Sequence, residues 1–264
     1  MDRQIDFNRF YTLMHQAHGF DLSKYKETRI KRRTLQFMSR RKLQSLRDLV
    51  LFLQHKEHLE AFLRFHRINV SYFLRDKELF QRLITLISRA PAVLEQGVLS
   101  LACSKGEELY TLLFLLQEKG LPLPKTIIGV DADAEALLMA EKGIWDKDSL
   151  IEPIDPLLQR YLVAISDSER ELFALKHSLA VPIQFLCMDI LEQDLRRLNP
   201  PFGVLLCRNF IIYLEKDFRN RFINGLISLL QPKGLLFLGA SEFINQPGSC
   251  NLRYLEHSIY QKVS

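Results

Sequence analysis

The stretch Leu99-Ser-Leu-Ala-Cys-Ser-Lys-Gly-Glu-Glu108 holds the residues best placed to do chemistry. A short apolar run ends in small residues and a glycine. Two carboxylates then open an apolar, helix-like segment that runs to Leu116. This is the pattern of a strand, a tight turn and a helix start. Small residues let a backbone approach a ligand closely, and a helix N-terminus offers unpaired N–H groups. Two carboxylates at that position repel a phosphate. They suit a cationic or polyhydroxylated ligand, such as the methionine or ribose part of S-adenosylmethionine. Acidic residues in a first helical turn are also ordinary complements of the helix dipole, so the motif needs support from the rest of the chain.

That support comes from the pattern after residue 97, where short apolar strands alternate with helices. The strands read as 98–102, 126–130, 183–188, 204–207 and 235–239, and the helices as about 108–118, 133–142 and 216–230. A last alternating stretch, 255–263, reads as an antiparallel edge strand. Alternation of this kind predicts a mainly parallel sheet covered on both faces, and such sheets bind ligands at the carboxyl ends of their strands. Those ends carry polar residues: Cys103 to Glu108 after the first strand, Asp131 after the second, Asp189-Ile190 after the third and Arg208-Asn209 after the fourth. An acid at the end of the second strand can accept hydrogen bonds from ribose hydroxyls. Four such sets together favour a nucleoside site over ordinary loop residues.

Residues 1–90 instead show helical spacing. Phe7, Phe10, Tyr11, Met14 and Ala17 recur at helical intervals before Gly19, a C-cap candidate. Further apolar sets centred on Ile30–Met38, Leu46–Leu53, Leu59–Phe65 and Glu78–Ile87 mark more helices. The sequence divides at about residue 90 into a helical N-terminal domain, 1–90, and an α/β domain, 91–264, with a small insertion at about 150–182. Charge is concentrated in 24–47, which carries Lys24, Lys26, Arg29, Lys31, Arg32, Arg33, Arg40, Arg41, Lys42 and Arg47 against the single acid Glu27. The whole chain has a net charge of only +5. A face this one-sided repels itself and calls for an acidic partner.

Other features exclude classes. No apolar run approaches the roughly 20 residues that span a bilayer, and the polar N-terminus lacks a signal-peptide pattern. The reading is of a cytoplasmic protein. The four cysteines, Cys103, Cys187, Cys207 and Cys250, have no CxxC pairing, so reduced thiols are expected and a zinc site is not. Asn199-Pro-Pro-Phe202 matches a tetrapeptide of amino-group DNA methyltransferases. In those enzymes it follows a strand and lies beside the methyl group. Here it precedes the strand 204–207, which puts it at the end away from the ligand.

At this resolution the sequence resembles the chemotaxis-receptor glutamate methyltransferases, the CheR family, from about Phe7 to Tyr260. The resemblance rests on Asn69-Val-Ser-Tyr-Phe-Leu-Arg75, Cys103-Ser-Lys-Gly-Glu-Glu108, Asp131-Ala-Asp133 with Ala140-Glu-Lys-Gly-Ile-Trp145, Cys207-Arg-Asn-Phe-Ile-Ile-Tyr213 and Leu238-Gly-Ala-Ser-Glu242, in the family's order and spacing. It implies an all-α N-terminal domain joined to a Rossmann-like S-adenosylmethionine-binding sheet with a small inserted β-subdomain. It implies that Asn69, Ser71, Arg75, Glu108, Asp131, Asp189, Ile190, Arg208 and Asn209 contact the cofactor. Arg75 and Tyr213 would lie beside the transferred methyl and the acceptor, a receptor glutamate, with S-adenosylhomocysteine as product. Arg29, Arg32, Arg33, Arg40 and Arg41 would face the acidic receptor helix. Three departures bear on the cofactor: Lys105 replaces a small residue in the loop, Leu109 a common proline, and Asp189 a common asparagine. The stretch Ala164 to Glu171 lacks the glycine of members that grip a receptor peptide, so a tether is not expected, and no appended repeat domain is read. The chain is expected to act as a monomer. A nucleic-acid methyltransferase, or a non-catalytic module that keeps the fold, are the alternative readings.

Overall fold

The computed structural model describes residues 6–66, 71–167, 170–177 and 181–264. The chain forms two compact units, Met1–Asn69 with Tyr213–Asn220, and Val70–Ile212 with Arg221–Ser264.

The first unit is built on α1 (Phe7–His18), α2 (Glu27–Arg40), α3 (Leu46–Phe52) and α4 (Lys56–His66). Asp6 caps α1 by accepting from the Arg9 N–H at 2.8 Å, and Gly19 ends it in the left-handed region. In α2 the buried residues are Ile30, Thr34, Phe37 and Met38, one stripe of a 3.6-residue period. They pack with Phe10, Met14, Leu49, Leu53 and Phe62, and the Phe37 and Phe62 rings meet edge-on at 5.2 Å. His66 ties α4 to α2. Its Nδ1 lies 3.0 Å from the Phe62 carbonyl, which can only accept, so Nε2 accepts from the Thr34 hydroxyl at 3.1 Å. Burial lowers its pKa to about 4, so the ring is neutral at pH 7. The segment from Tyr213 joins this unit through a Tyr25–Leu214 antiparallel bridge. The Lys26 N–H donates to the Tyr213 carbonyl at 2.9 Å and the Glu215 N–H to the Lys24 carbonyl at 2.8 Å.

The second unit starts with α5 (Lys77–Arg89). It continues through β1 (Val98–Leu101), α6 (Glu107–Glu118), β2 (Ile127–Asp131), α7 (Ala134–Lys142), β3 (Ile144–Asp146), α8 (Pro156–Tyr161), β4 (Leu162–Asp167), β5 (Arg170–Leu175), β6 (Gln184–Cys187), β7 (Phe202–Cys207), the part of α9 (Lys216–Ser228) from Arg221 on, β8 (Leu230–Leu238), β9 (Leu252–Glu256) and β10 (Ile259–Lys262). The main sheet runs β6-β2-β1-β7-β8-β10-β9. Its first five strands are parallel. The chain order reverses between β1 and β7, the switch point at which such sheets open a crevice. A second, antiparallel sheet runs β3-β5-β4. Helix α6 is buried almost all round. Leu109, Leu112, Leu113 and Leu116 pack with α5 and the main sheet, while Tyr110 and Phe114 pack with Phe73, Trp145 and Phe173 beside the small sheet.

Three expectations change. α5, assigned above to the N-terminal domain, packs Phe80, Leu83, Ile84 and Ile87 into the core of the second unit; helical periodicity identifies a buried face but not the core that receives it. The terminal stretch is a hairpin rather than one edge strand. β9 is the edge and β10 lies between it and β8, with Ser258 in the left-handed region between them. Apolar residues keep alternating through the turn, which hides it from a period-two reading. The small sheet also begins earlier than the expected insertion, at Ile144.

Candidate cofactor site and basic face

The loop after β1 turns through three residues with positive φ, Ala102 at 58°, Ser104 at 53° and Gly106 at 77°. Two of these are not glycine, and such backbone costs about 1–3 kcal/mol each and concentrates at functional sites. At Gly106 a Cβ would sit 3.2 Å from both the Ala140 Cβ and the Phe185 ring, so a side chain there has little room. The Cys103 N–H donates to the Val130 carbonyl at 3.0 Å. The Ser104 N–H donates to Asp131 Oδ2 at 2.8 Å. Lys105, which stands where a small residue is usual, sends its ammonium to Asp146 on β3 at 2.6 Å, and its carbonyl accepts from Trp145 Nε1 at 2.8 Å. Its charge is neutralised within the second unit.

Both carboxylates of the motif are buried. Glu107 Oε1 accepts from the Ser149 hydroxyl at 2.9 Å, and Ser71 also interacts with this carboxyl. Glu108 Oε1 accepts from the Ser100 hydroxyl at 2.5 Å, while Oε2 lies 3.9 Å from Arg208 Nη1. Burial pushes the Glu108 carboxyl up to about 7, against the pull of Arg208, and raises that of Glu107 as well. Asp131, at the end of β2, is buried, and its Oδ1 accepts from the Asp133 N–H at 2.9 Å. Asp189 is half-buried and turns the loop after β6 by accepting from the Leu191 N–H at 2.9 Å; Ile190 is buried.

Arg208, at the end of β7, is an internal hub. Its side chain is 2 % exposed, and its guanidinium lies 4.6 and 4.8 Å from the Phe80 and Phe237 rings. Nη2 donates to Asp76 Oδ2 at 2.7 Å and to the Arg75 carbonyl at 2.9 Å. Leu74 and Asp76, on either side of Arg75, both have positive φ. The half-buried Arg75 guanidinium lies 5.7 Å from the Tyr72 ring. Asn209 also has positive φ, and its N–H donates to Glu242 Oε2 at 2.7 Å. Glu242 is nearly fully buried and further accepts from the N–H groups of Gly239 (2.7 Å) and Ile212 (3.2 Å). A Cβ on Gly239 would lie 2.8 Å from the Asn209 nitrogen. Neither Asp76 nor Glu242 was assigned a role from sequence. Glu242 closed a recognised motif, which was the available signal; Asp76 had none beyond its neighbour. Asn69 lies outside the described residues, and Tyr213 belongs to the first unit.

The donors and acceptors in the second unit fit S-adenosylmethionine. The Ser104 hydroxyl and Glu107 Oε2 are buried without a hydrogen-bond partner among the described residues, and buried carboxylates lie just beyond the β1 and β2 ends. The tetrapeptide Asn199–Phe202 leads into the start of β7, whereas Arg208 follows its end; in a parallel sheet those are opposite edges.

In the first unit the five basic residues divide by depth. Arg32, Arg40 and Arg41 are exposed, whereas Arg29 and Arg33 are half-buried. Arg29 Nη2 donates to the His66 carbonyl at 2.6 Å, and Arg33 Nη2 to the Phe65 carbonyl.

The chain matches the family described as CheR methyltransferase, SAM binding domain, over residues 69–257, and the one described as CheR methyltransferase, all-alpha domain, over 5–65. A chemotaxis protein methyltransferase of Listeria monocytogenes is 27% identical over 271 residues, covering 99% of each chain. One from Escherichia coli is 28% identical over 246 residues, covering 89% of this chain and 83% of the relative. A Pseudomonas aeruginosa protein named "Probable biofilm formation methyltransferase WspC" is 25% identical, over 89% of this chain and 56% of its own. With both family domains matched in order around a site whose acceptors suit the cofactor, the chain belongs to the CheR family of S-adenosylmethionine-dependent chemotaxis methyltransferases.

Proposed function

We propose that this enzyme methylates glutamate side chains on a chemoreceptor-type cytoplasmic helix, forming glutamate methyl esters without a peptide tether. The observation that carries the reading is the set of exposed arginines on and just after α2, Arg32, Arg40 and Arg41, on the helical domain of an enzyme whose relatives are chemotaxis methyltransferases. An acidic helix is the complement of that face. The absence of glycine from 164–171 supports a tether-free mode. The position of Asn199–Phe202 away from the β7 carboxyl end speaks against a nucleic-acid substrate.

The chemistry asks little of proton transfer. A glutamate carboxylate is ionised at pH 7 and needs no general base. The cofactor supplies a methyl group on a positively charged sulfur that a carboxylate oxygen can displace. Asp131 would hold the ribose hydroxyls, and Glu108 the cationic methionine part. The main-chain turns at Ala102, Ser104 and Asn209 would fix these acceptors. Arg75 would orient the acceptor carboxylate, in a two-pronged contact where geometry allows. The ion pair also stabilises the nucleophile, so the benefit is placement. The family resemblance gives Tyr213, in the first unit, a role in meeting the acceptor. Incubation with cofactor and a receptor cytoplasmic fragment, followed by peptide mass spectrometry, tests the reading. Methylation confined to glutamates supports it; methylation of other side chains, or none, overturns it.

Three outcomes follow from the geometry. Asp131→Ala is expected to weaken S-adenosylmethionine by about 1.5–3 kcal/mol, the range for hydrogen bonds to a charged group. Calorimetric titration of the folded variant checks this. Because Asp131 also holds the Ser104 N–H, Asp131→Asn is the gentler comparison, with an intermediate loss.

Glu108 gives a pH dependence. Its folded-state pKa of about 7 lies above the ordinary 4.5, so the folded, cofactor-free protein takes up a proton more readily than the unfolded chain. The cost of burying the carboxylate is full above about pH 7 and disappears as the pH falls towards about 4.5. Cofactor affinity runs the other way, because the cationic ligand needs the carboxylate: it should weaken about tenfold per pH unit below about 7. Titrations across that range in wild type and Glu108→Gln check it, and the variant should lose the dependence.

Arg32→Glu with Arg40→Glu should raise the KM for receptor several-fold at low salt and leave cofactor affinity unchanged. The difference should shrink with added salt, since exposed charges are screened over about 8–10 Å at physiological ionic strength. Steady-state kinetics against salt concentration give the readout.

A further inference from the structure

We infer that Arg29 is a positioning residue for Tyr213 and not a docking residue for the acidic partner. The inference rests on the reading of Tyr213 as a group that meets the acceptor. The Arg29 guanidinium lies 4.8 Å from the centre of the Tyr213 ring and 5.5 Å from that of Tyr25. Its Nη2 donates to the carbonyl of His66, the last residue of α4, at 2.6 Å. Its Nε is buried without a hydrogen-bond partner. A charge held this way is turned inward and meets aromatic faces, which attract a cation. With its Nη2 bonded to a main-chain carbonyl and its side chain half-buried, it is not offered to a partner as the exposed Arg32 is.

The Tyr213 main chain is fixed on the same helix entrance. Its carbonyl accepts from the Lys26 N–H at 2.9 Å, and the next residue, Leu214, is fully buried and bridges to Tyr25. The main chain is therefore held by α2 while the ring is held by a side chain of α2 one turn further on. A phenol ring with one face on a planar cation loses rotational freedom about χ1 and χ2, and its hydroxyl direction is set. Burial, reinforced by the neighbouring Arg33, lowers the Arg29 pKa to about 10, which still leaves it charged at pH 7. Structural support of α4 alone would need the hydrogen bond to His66 but not the face-on contact with Tyr213.

Methyl transfer to a receptor fragment by Arg29→Met, Arg29→Lys, Tyr213→Leu and the Arg29→Met/Tyr213→Leu double variant tests the inference, each variant checked for fold by circular dichroism. Arg29→Met should lower kcat about tenfold with the KM for receptor and its salt dependence unchanged. Arg29→Lys, which keeps a cation near the ring, should recover much of the loss. In the Tyr213→Leu background Arg29→Met should add nothing further, an outcome that a general loosening of the helices would not give. If Tyr213→Leu has normal kcat, the role of Tyr213 fails and the inference falls with it. If Tyr213→Leu is impaired but Arg29→Met has normal kcat, adds to the loss, or raises only KM in a salt-dependent way, the role of Tyr213 stands and the inference alone is overturned.

Discussion

Arg208→Ala is expected to destabilise the second unit by about 3–5 kcal/mol, the cost of removing one partner from a buried ion pair. The guanidinium serves Asp76, the Arg75 carbonyl and, at longer range, Glu108, and lies against two aromatic rings. Its loss leaves Asp76 with an unpaired charge and takes a cation from beside Glu108, and opens a void against the Phe80 and Phe237 rings. Trp145 is the sole tryptophan and is fully buried in the second unit, so its fluorescence during urea unfolding reports that unit alone. The destabilisation should lessen as the pH falls below about 7, because a protonated Glu108 no longer needs the pair. A midpoint close to wild type would mean that Arg208 holds nothing together.

Arg75→Ala is expected to retain the fold and lose turnover on the order of 100-fold, the scale on which misplacing a reactant is felt. Arg75 is half-buried between two left-handed residues, Leu74 and Asp76, and its carbonyl is anchored by Arg208. The backbone that aims it is held from within the core, so a substitution of the side chain should leave the turn in place. Arg75→Lys keeps the charge but not the planar fork and should recover only part of the rate. Some loss of cofactor affinity is compatible with its place in the motif. Single-turnover rates at saturating cofactor separate the two effects, and a near-normal rate in Arg75→Ala would remove it from the reaction.

Much of this was legible because the chain announces its elements. Apolar strands alternate with helices after residue 97, small residues and a glycine close the first strand, and a carboxylate closes the second; a parallel sheet then brings those ends together. What sequence could not supply was depth and direction. Arg29, Arg32 and Arg33 are close neighbours in one basic run, yet a helix turns them about 100° apart per residue, so two face inward and one faces water. Arg208 was legible as the polar end of a strand, and the resemblance implied a cofactor contact; its burial, and its pairing with an aspartate from the start of α5, were not legible. Lys105 was legible as a departure in the cofactor loop, but not its pairing with Asp146, which is distant in sequence. Both pairings cross from one loop to another, and no local pattern encodes them. Family resemblance marked the Glu242 motif but not its work, which is to collect the main-chain N–H groups of Gly239, Asn209 and Ile212.

The central claim is that the methyl group goes to a carboxylate oxygen. The direct test is to incubate the enzyme with S-adenosylmethionine labelled in the methyl group and an extract containing chemoreceptors and nucleic acid, then to treat the separated products with mild base. Esters of glutamate hydrolyse under these conditions, whereas methyl groups on nitrogen or on nucleic-acid bases do not. The account predicts label in receptor-sized protein that is released as volatile methanol. Label that stays with the protein after base, or that travels with nucleic acid, would contradict it.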